Sequence, residues 1–147
     1  MQQFGDPRPG LRYTPRPAAF GIAERGGRIA AVNVRPDEGG DWIDLPGGAI
    51  DPGEDELQAL VREFGEETGL VVTPGRQIVR AAQYFEKADG QPVNNQFGVY
   101  EVSVTGERPG LKIEDDHELI WIPPAEAVQH LRHDGHAWAV AMWWRGR

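Results

Sequence analysis

Cysteine is absent from all 147 residues, which excludes disulfides and thiolate metal centres and is compatible with a reducing compartment. Long apolar runs are absent too: nowhere do 18 apolar residues stand together, so no membrane-spanning helix is expected. The opening stretch MQQFGDPRPGLRYTPRP lacks the continuous apolar core of a secretory leader. Bases are in short supply, with 15 Lys and Arg against 23 Asp and Glu and a formal net charge of −8. Non-specific attraction to nucleic acid or to an anionic membrane is therefore not expected, and a ligand rich in negative charge would need local arginines or a cation. There is no internal repeat or low-complexity tract. What remains is the expectation of one cytoplasmic globular domain over 1–147, with 39% apolar residues to fill its core.

The most informative stretch runs from 48 to 70, GAIDPGEDELQALVREFGEETGL. On a helix each residue advances about 100°, so with Glu63 at zero, Glu66 falls near 300° and Glu67 near 40°. Three carboxylates then share one face. Leu57, Leu60, Val61 and Phe64 cluster on the adjoining face, the stripe expected to bury against a sheet. Arg62 stands one turn before Glu66 and is expected to pair with it. Like charges this close repel by about 4 kcal/mol per pair at an effective dielectric near 20, and a divalent cation would relieve them. Hard Mg²⁺ favours carboxylate and carbonyl oxygens and reaches substrate phosphates through its remaining positions. A solvated acidic face is the alternative, disfavoured by the fixed spacing of Gly48, Glu54 and Arg62 around the acids.

Just before the helix, Leu45-Pro46-Gly47-Gly48 allows the backbone to turn back and approach a ligand closely. Asp55 and Gln58 read as N-cap and capping-box partner. Glu54 sits at the mouth of the helix, where the dipole favours an anion, and is either a capping charge or part of the site. Gly65 lies on neither the acidic nor the apolar face and reads as tolerated.

Along the rest of the chain, residues 1–16 are rich in Pro and Arg and read as an arm that lies across the domain or joins a partner in a homodimer. Ala18 to Ala23 and Arg28 to Val34, separated by Glu24-Arg25-Gly26-Gly27, predict a hairpin. Trp42 to Leu45 predicts a short strand. Gln77 to Glu86 and Gln96 to Val104 predict a strand pair, Leu111 to Asp116 a polar loop and His117 to Ile122 another strand. Pro123-Pro124 opens a helix to about Leu131, and His136 to Arg145 predicts a closing amphipathic helix. Mixed strands with these helices suggest an α/β sandwich.

The spacing Gly48, Glu54, Arg62-Glu63-Phe64, Glu66-Glu67, Gly69-Leu70 resembles the signature of the Nudix hydrolases at all nine defining positions. A chance match in so short a chain is about one in 10⁸, so coincidence is set aside. The flanks Trp42 to Gly48 and Glu118-Leu-Ile-Trp121 before a Pro-initiated helix are also similar to that family. The resemblance implies an α/β/α sandwich with a mixed sheet. It also implies Mg²⁺-dependent hydrolysis (Mn²⁺ as the substitute) of a pyrophosphate bond in a nucleoside diphosphate linked to another moiety. By the same resemblance, Glu63, Glu66, Glu67 and the Gly47 carbonyl form the metal site, and Glu54, Arg62, Glu63 and Glu66 belong to the catalytic machinery.

The general base is one of these acids or a carboxylate outside the signature. Glu114 and Asp116 are candidates for it on a loop, and Glu118 is read as structural or metal-linked because it shares a strand face with Ile120 and Ile122. Arg16, Arg28 and Arg35 are candidates for contacts to a small nucleotide substrate, and Trp42, Tyr84, Phe85 and Phe97 for stacking on its base. Each of these is also readable as a surface arginine or a core aromatic. A catalytically silent nucleotide-binding module is the alternative function, against which the intact acids argue. No residue separates a nucleoside triphosphate from an oxidised nucleotide, ADP-ribose or a dinucleoside polyphosphate.

Overall fold

The computed structural model describes residues 1–147. In chain order they form β1 (Gln2–Phe4), β2 (Thr14–Arg25), β3 (Arg28–Val34), β4 (Trp42–Asp44), β5 (Gly47–Ala49), α1 (Glu56–Thr68), β6 (Leu70–Glu86), β7 (Pro92–Glu107), a 3₁₀ turn (Pro109–Leu111), β8 (His117–Ile122), α2 (Pro124–His130) and α3 (Asp134–Arg145). The strands run in the order β1-β6-β7-β2-β3-β4, with β5 added on β2 and β8 on β3. β2 is the hub. It pairs in parallel with β7 from Thr14↔Val93 to Ala23↔Val102 and antiparallel with β5, then turns into β3 through the expected hairpin. The sheet is thus mixed.

Alternation along β2 makes two cores. Ala18, Phe20 and Ile22 face a layer built with Val140 and Trp143 of α3 and Ala127 of α2, while Ala19 and Ala23 face Leu60 and Phe64 of α1. The result is the α/β/α layering expected. Gly21 lies where any side chain would collide, since a Cβ there would stand 2.9 Å from the Phe64 ring.

α1 starts as its sequence dictates: Asp55 accepts from the Gln58 backbone N–H, and the Gln58 side chain accepts from the Asp55 N–H, a complete capping box. It stops at Gly69, whose φ of 76° is the left-handed turn that glycine tolerates best. The buried stripe differs from the expected one. Leu60 and Phe64 are fully buried, but Leu57 and Val61 are 42% and 36% exposed, and their places are taken by Ala59, Gly65, Glu67 and Thr68. The helix is rotated so that part of its acidic face turns inward. Gly65 is accordingly not a bystander: it is buried beneath Leu111 of the 3₁₀ turn, 3.3 Å from where its Cβ would be.

Three further expectations change. The segment Leu70–Glu86 is one long strand with irregular register near Pro74 and Gln77, so it begins well before the expected Gln77. The arm is shorter than 1–16, because β2 begins at Thr14, and it lies across its own chain: residues 2–4 pair with β6, and the Phe4 ring packs 5.4 Å from Trp138. The glycine turn after β4 includes a short strand, β5, on β2.

Candidate active site

A cavity of about 330 Å³ opens where β2, β4, β5, β6, β7 and α1 converge with the loop before β8 and the start of α3. Its acidic wall is made by α1. Glu63 and Glu67 line it, and Gly48 makes room for them: a Cβ on Gly48 would stand 2.7 Å from the Glu63 carboxyl carbon. Glu67 is only 7% exposed. One of its oxygens accepts from the Gly47 N–H at 3.0 Å and the other lies 3.4 Å from His117 Nε2. Burial pushes its carboxyl well above the usual range, and Glu63, Asp44 and Glu114 add to that push. Burial also raises Glu63.

Arg62 organises the remaining acids. Its Nε and Nη2 reach Glu54 at 2.7 and 2.9 Å, its Nη1 reaches Glu63 at 3.0 Å and Glu66 at 2.9 Å, and its Nη2 also donates to the Ala49 carbonyl at 3.0 Å. The expected pairing with Glu66 is present but is one of several. Glu54 is therefore the ion-pair partner of Arg62 rather than a capping charge. Arg62, with help from the Asp51 N–H, holds its carboxyl down at about 2.

The loop before β8 is tied to α1. The N–H groups of Ile113 and Glu114 both donate to the Glu66 carbonyl, at 2.9 and 3.1 Å, while Lys112 Nζ donates to the Glu114 carbonyl at 2.6 Å. This brings Glu114, Asp116 and His117 together, with one ligand atom from each within 4.8 Å of the others. His117 Nδ1 lies 2.8 Å from Asp116, so Glu67, His117 and Asp116 form a chain. Glu118 is not part of it. Alternation along β8 sends His117, Leu119 and Trp121 toward α1 and leaves Glu118 exposed at the strand end, 4.0 Å from Arg35.

Opposite the acids, Arg16 is half-buried and gives an Nη1 hydrogen bond to Asn95 at 2.9 Å. Burial lowers its pKa, Glu63 and Glu67 raise it, and Arg132 lowers it further, so it feels both the acids and a second guanidinium. Phe85 and Trp42 also line the cavity. Tyr84 does not: its neighbour Phe85 takes the inward face of β6, and Tyr84 turns to Tyr13, ring centres 5.2 Å apart. Arg35 lies outside, paired with Asp41 at 3.2 Å. Arg28 donates to the Trp121 carbonyl, and Phe97 is wholly buried in the core.

Sequence reasoning overlooked Asp44, Asn95, His117, Arg132, His133 and His136, all of which line the cavity. They come from four separated segments, and no local spacing marks them. Among them, His136 accepts the Leu45 N–H at Nδ1, and burial holds it neutral, with a pKa lowered to about 3.

The carboxylate set suits a divalent cation. Its donors are hard oxygens, two of them are disfavoured as anions without a countercharge, and Arg62, the guanidinium bonded to Glu63 and Glu66, is already occupied by four acceptor groups.

The NUDIX domain family model matches residues 13–144. The chain is 30% identical over 111 residues to the CTP pyrophosphohydrolase of Escherichia coli (strain K12), covering 74% of this chain and 76% of that one. It is 45% identical over 60 residues to the RNA pyrophosphohydrolase of Sphingopyxis alaskensis, a match spanning 41% of this chain and 37% of the relative. Among solved structures, a NUDIX hydrolase from Nitrosomonas europaea superposes with a TM-score of 0.76 at 20% identity, over 90% of both chains. The chain belongs to the Nudix hydrolase family, as a pyrophosphohydrolase.

Proposed function

We propose that the protein hydrolyses a phosphoanhydride bond of a nucleoside triphosphate, using Mg²⁺, with Mn²⁺ as substitute. The observation that carries this reading is the concentration of carboxylates around the nearly buried Glu67, facing Arg16 across a cavity large enough for a mononucleotide. The names of the two relatives join a nucleotide to pyrophosphate hydrolysis, and the Escherichia coli one acts on CTP.

Glu63, Glu66 and Glu67, with the Gly47 carbonyl, would hold the cation. Once bound there, it would supply positive charge to the phosphate oxygens and lower the pKa of an attacking water. Arg16 supplies positive charge to the phosphates beyond the acids. Arg62 fixes the rotamers of Glu54, Glu63 and Glu66, so the acids need not reorganise during the reaction. His117, between Asp116 and Glu67, orients the Glu67 carboxylate. Glu114, pinned through its N–H to the Glu66 carbonyl, offers its carboxylate to take the proton of the water.

A screen of nucleotides for phosphate and pyrophosphate release, with Mg²⁺ and with Mn²⁺, tests the reading. Turnover of at least one nucleoside triphosphate, abolished by EDTA and restored by metal, is expected. Full turnover in metal-free protein, or none on any nucleotide, would sink it.

A further inference from the structure

One group in the cavity has no part in that reaction. Arg132 sits at the join of α2 and α3 and lies over Trp42, its guanidinium carbon 4.1 Å from the ring centre and 5.3 Å from that of Phe85. Asp44 holds it there. Nε and Nη2 donate to the two carboxylate oxygens at 3.2 and 2.8 Å, and Trp42 Nε1 gives Asp44 a third hydrogen bond at 3.1 Å. Two of the five N–H bonds of the guanidinium are thereby used, and three remain.

Two further donor groups, Arg16 and Asn95, line the same cavity. Arg16 can only donate, so Asn95 must turn its oxygen to Arg16, and its amide N–H bonds are left for the cavity. Asn95 is 2% exposed. His133, also buried, lines the same end and has a ring nitrogen without a partner. Asp44, the carboxylate bonded to Arg132, already accepts three hydrogen bonds, two from Arg132 and one from Trp42. Arg16 lines the cavity with Glu63 and Glu67, while Arg132 lies over Trp42 and Phe85, which leaves the aromatic end for the base.

We propose that Arg132, held on Trp42 by Asp44, reads the nucleobase together with Asn95. The two form a donor-only wall that selects a base edge with two adjacent acceptors, as N3 and O2 of cytosine or N7 and O6 of guanine. Uracil breaks this pattern with an N–H between its carbonyls. The inference rests on the nucleotide hydrolase reading above. Arg132 is the specificity-determining group, and Asp44 is a positioning residue that keeps its donors in the plane of the base.

The test compares kcat/KM for CTP against UTP and for GTP against 7-deaza-GTP, and binding of CMP against UMP by calorimetry. These pairs change atoms of the ligand and need no variant. An advantage of about 10-fold to 100-fold is expected for the member with the intact acceptor pair, and whichever pair shows it identifies the base. Arg132→Lys keeps a charge but loses the planar fork, so it should carry the ratio toward one, chiefly through KM, and Asp44→Asn should do so in part. Equal rates within both pairs, or an advantage that survives Arg132→Lys, would overturn the proposal. So would an equal loss in that variant for CTP and for a base-free ribose 5-triphosphate, which would place Arg132 on the phosphates. If no nucleotide is hydrolysed by the wild-type protein, the hydrolase reading fails, and calorimetric affinities for CMP against UMP and for GMP against 7-deaza-GMP still decide whether the wall selects a base.

Discussion

Glu67 is disfavoured as an anion by burial and by its neighbours Glu63, Asp44 and Glu114. Glu67→Gln keeps the shape and removes that charge. Turnover should fall by at least about 10²-fold, the size of a lost catalytic group, while the metal-free variant melts higher than wild type at pH 8. Thermal melts and rates decide it: normal turnover with an unchanged melt would make the carboxylate a bystander. Arg62→Ala should act differently, since the side chain holds acids and the Ala49 carbonyl rather than substrate. Its kcat should drop while the affinity for a non-hydrolysable nucleotide analogue changes little. A large loss of analogue affinity with metal binding intact would instead place Arg62 on the phosphates. At this scale the sequence was readable where residues are close in the chain: Arg62 and its acids follow from helical spacing. Arg132, Asp44 and Asn95 meet only through the sheet, across separations such as 88 residues between Arg132 and Asp44, and no pattern within a window reaches them.

Among the elements, α1 carries the signature and is also a structural strut, so its packing and its chemistry are separable by mutation. Gly21→Ala on β2 would push a methyl against Phe64 of α1. Such overpacking costs about 1–3 kcal/mol, read as a lower urea midpoint with little change in kcat for the folded fraction. The capping box, the C-terminal glycine and β8 are visible in the sequence because each is a local rule. The rotation of α1 is not, because the apolar wheel offered Leu57 and Val61 as readily as Ala59 and Thr68. Tertiary contact with β2, β6 and the 3₁₀ turn made the choice. Strand alternation likewise separated His117 from Glu118 correctly, but could not say which face met α1.

For the whole molecule, two sets of buried groups respond to pH in opposite senses. His133 and His136 have pKa values lowered from 6.5 to about 2 and about 3, chiefly by burial. The unfolded chain therefore takes up more protons below pH 6.5, and their contribution to stability is full above that and lost as pH falls toward 3. Glu63 and Glu67 are raised from 4.5, so their contribution is full below 4.5 and lost as pH rises through their folded values. Mg²⁺ should therefore raise the melting temperature more at pH 8 than at pH 5. His136→Asn should flatten the acid side of the profile. A metal-induced shift of the same size at both pH values would show that the acids are not the groups that bind it.

The pairing of residues 2–4 with β6 has a consequence for the behaviour of the protein in solution. β6 is joined to β7 on one side, and over Ala81 to Gln83 β1 occupies the other. Gln3 ties this ribbon to Asn94 at 3.0 Å. An uncovered edge of this kind is a template for strands of other molecules. Removal of the first five residues would leave backbone donors and acceptors of Ala81 to Gln83 open on the outer side of the strand that carries Phe85 into the cavity. Three short residues thus act as a guard against self-association, and a protein lacking them should form concentration-dependent aggregates while its carboxylate cluster remains intact.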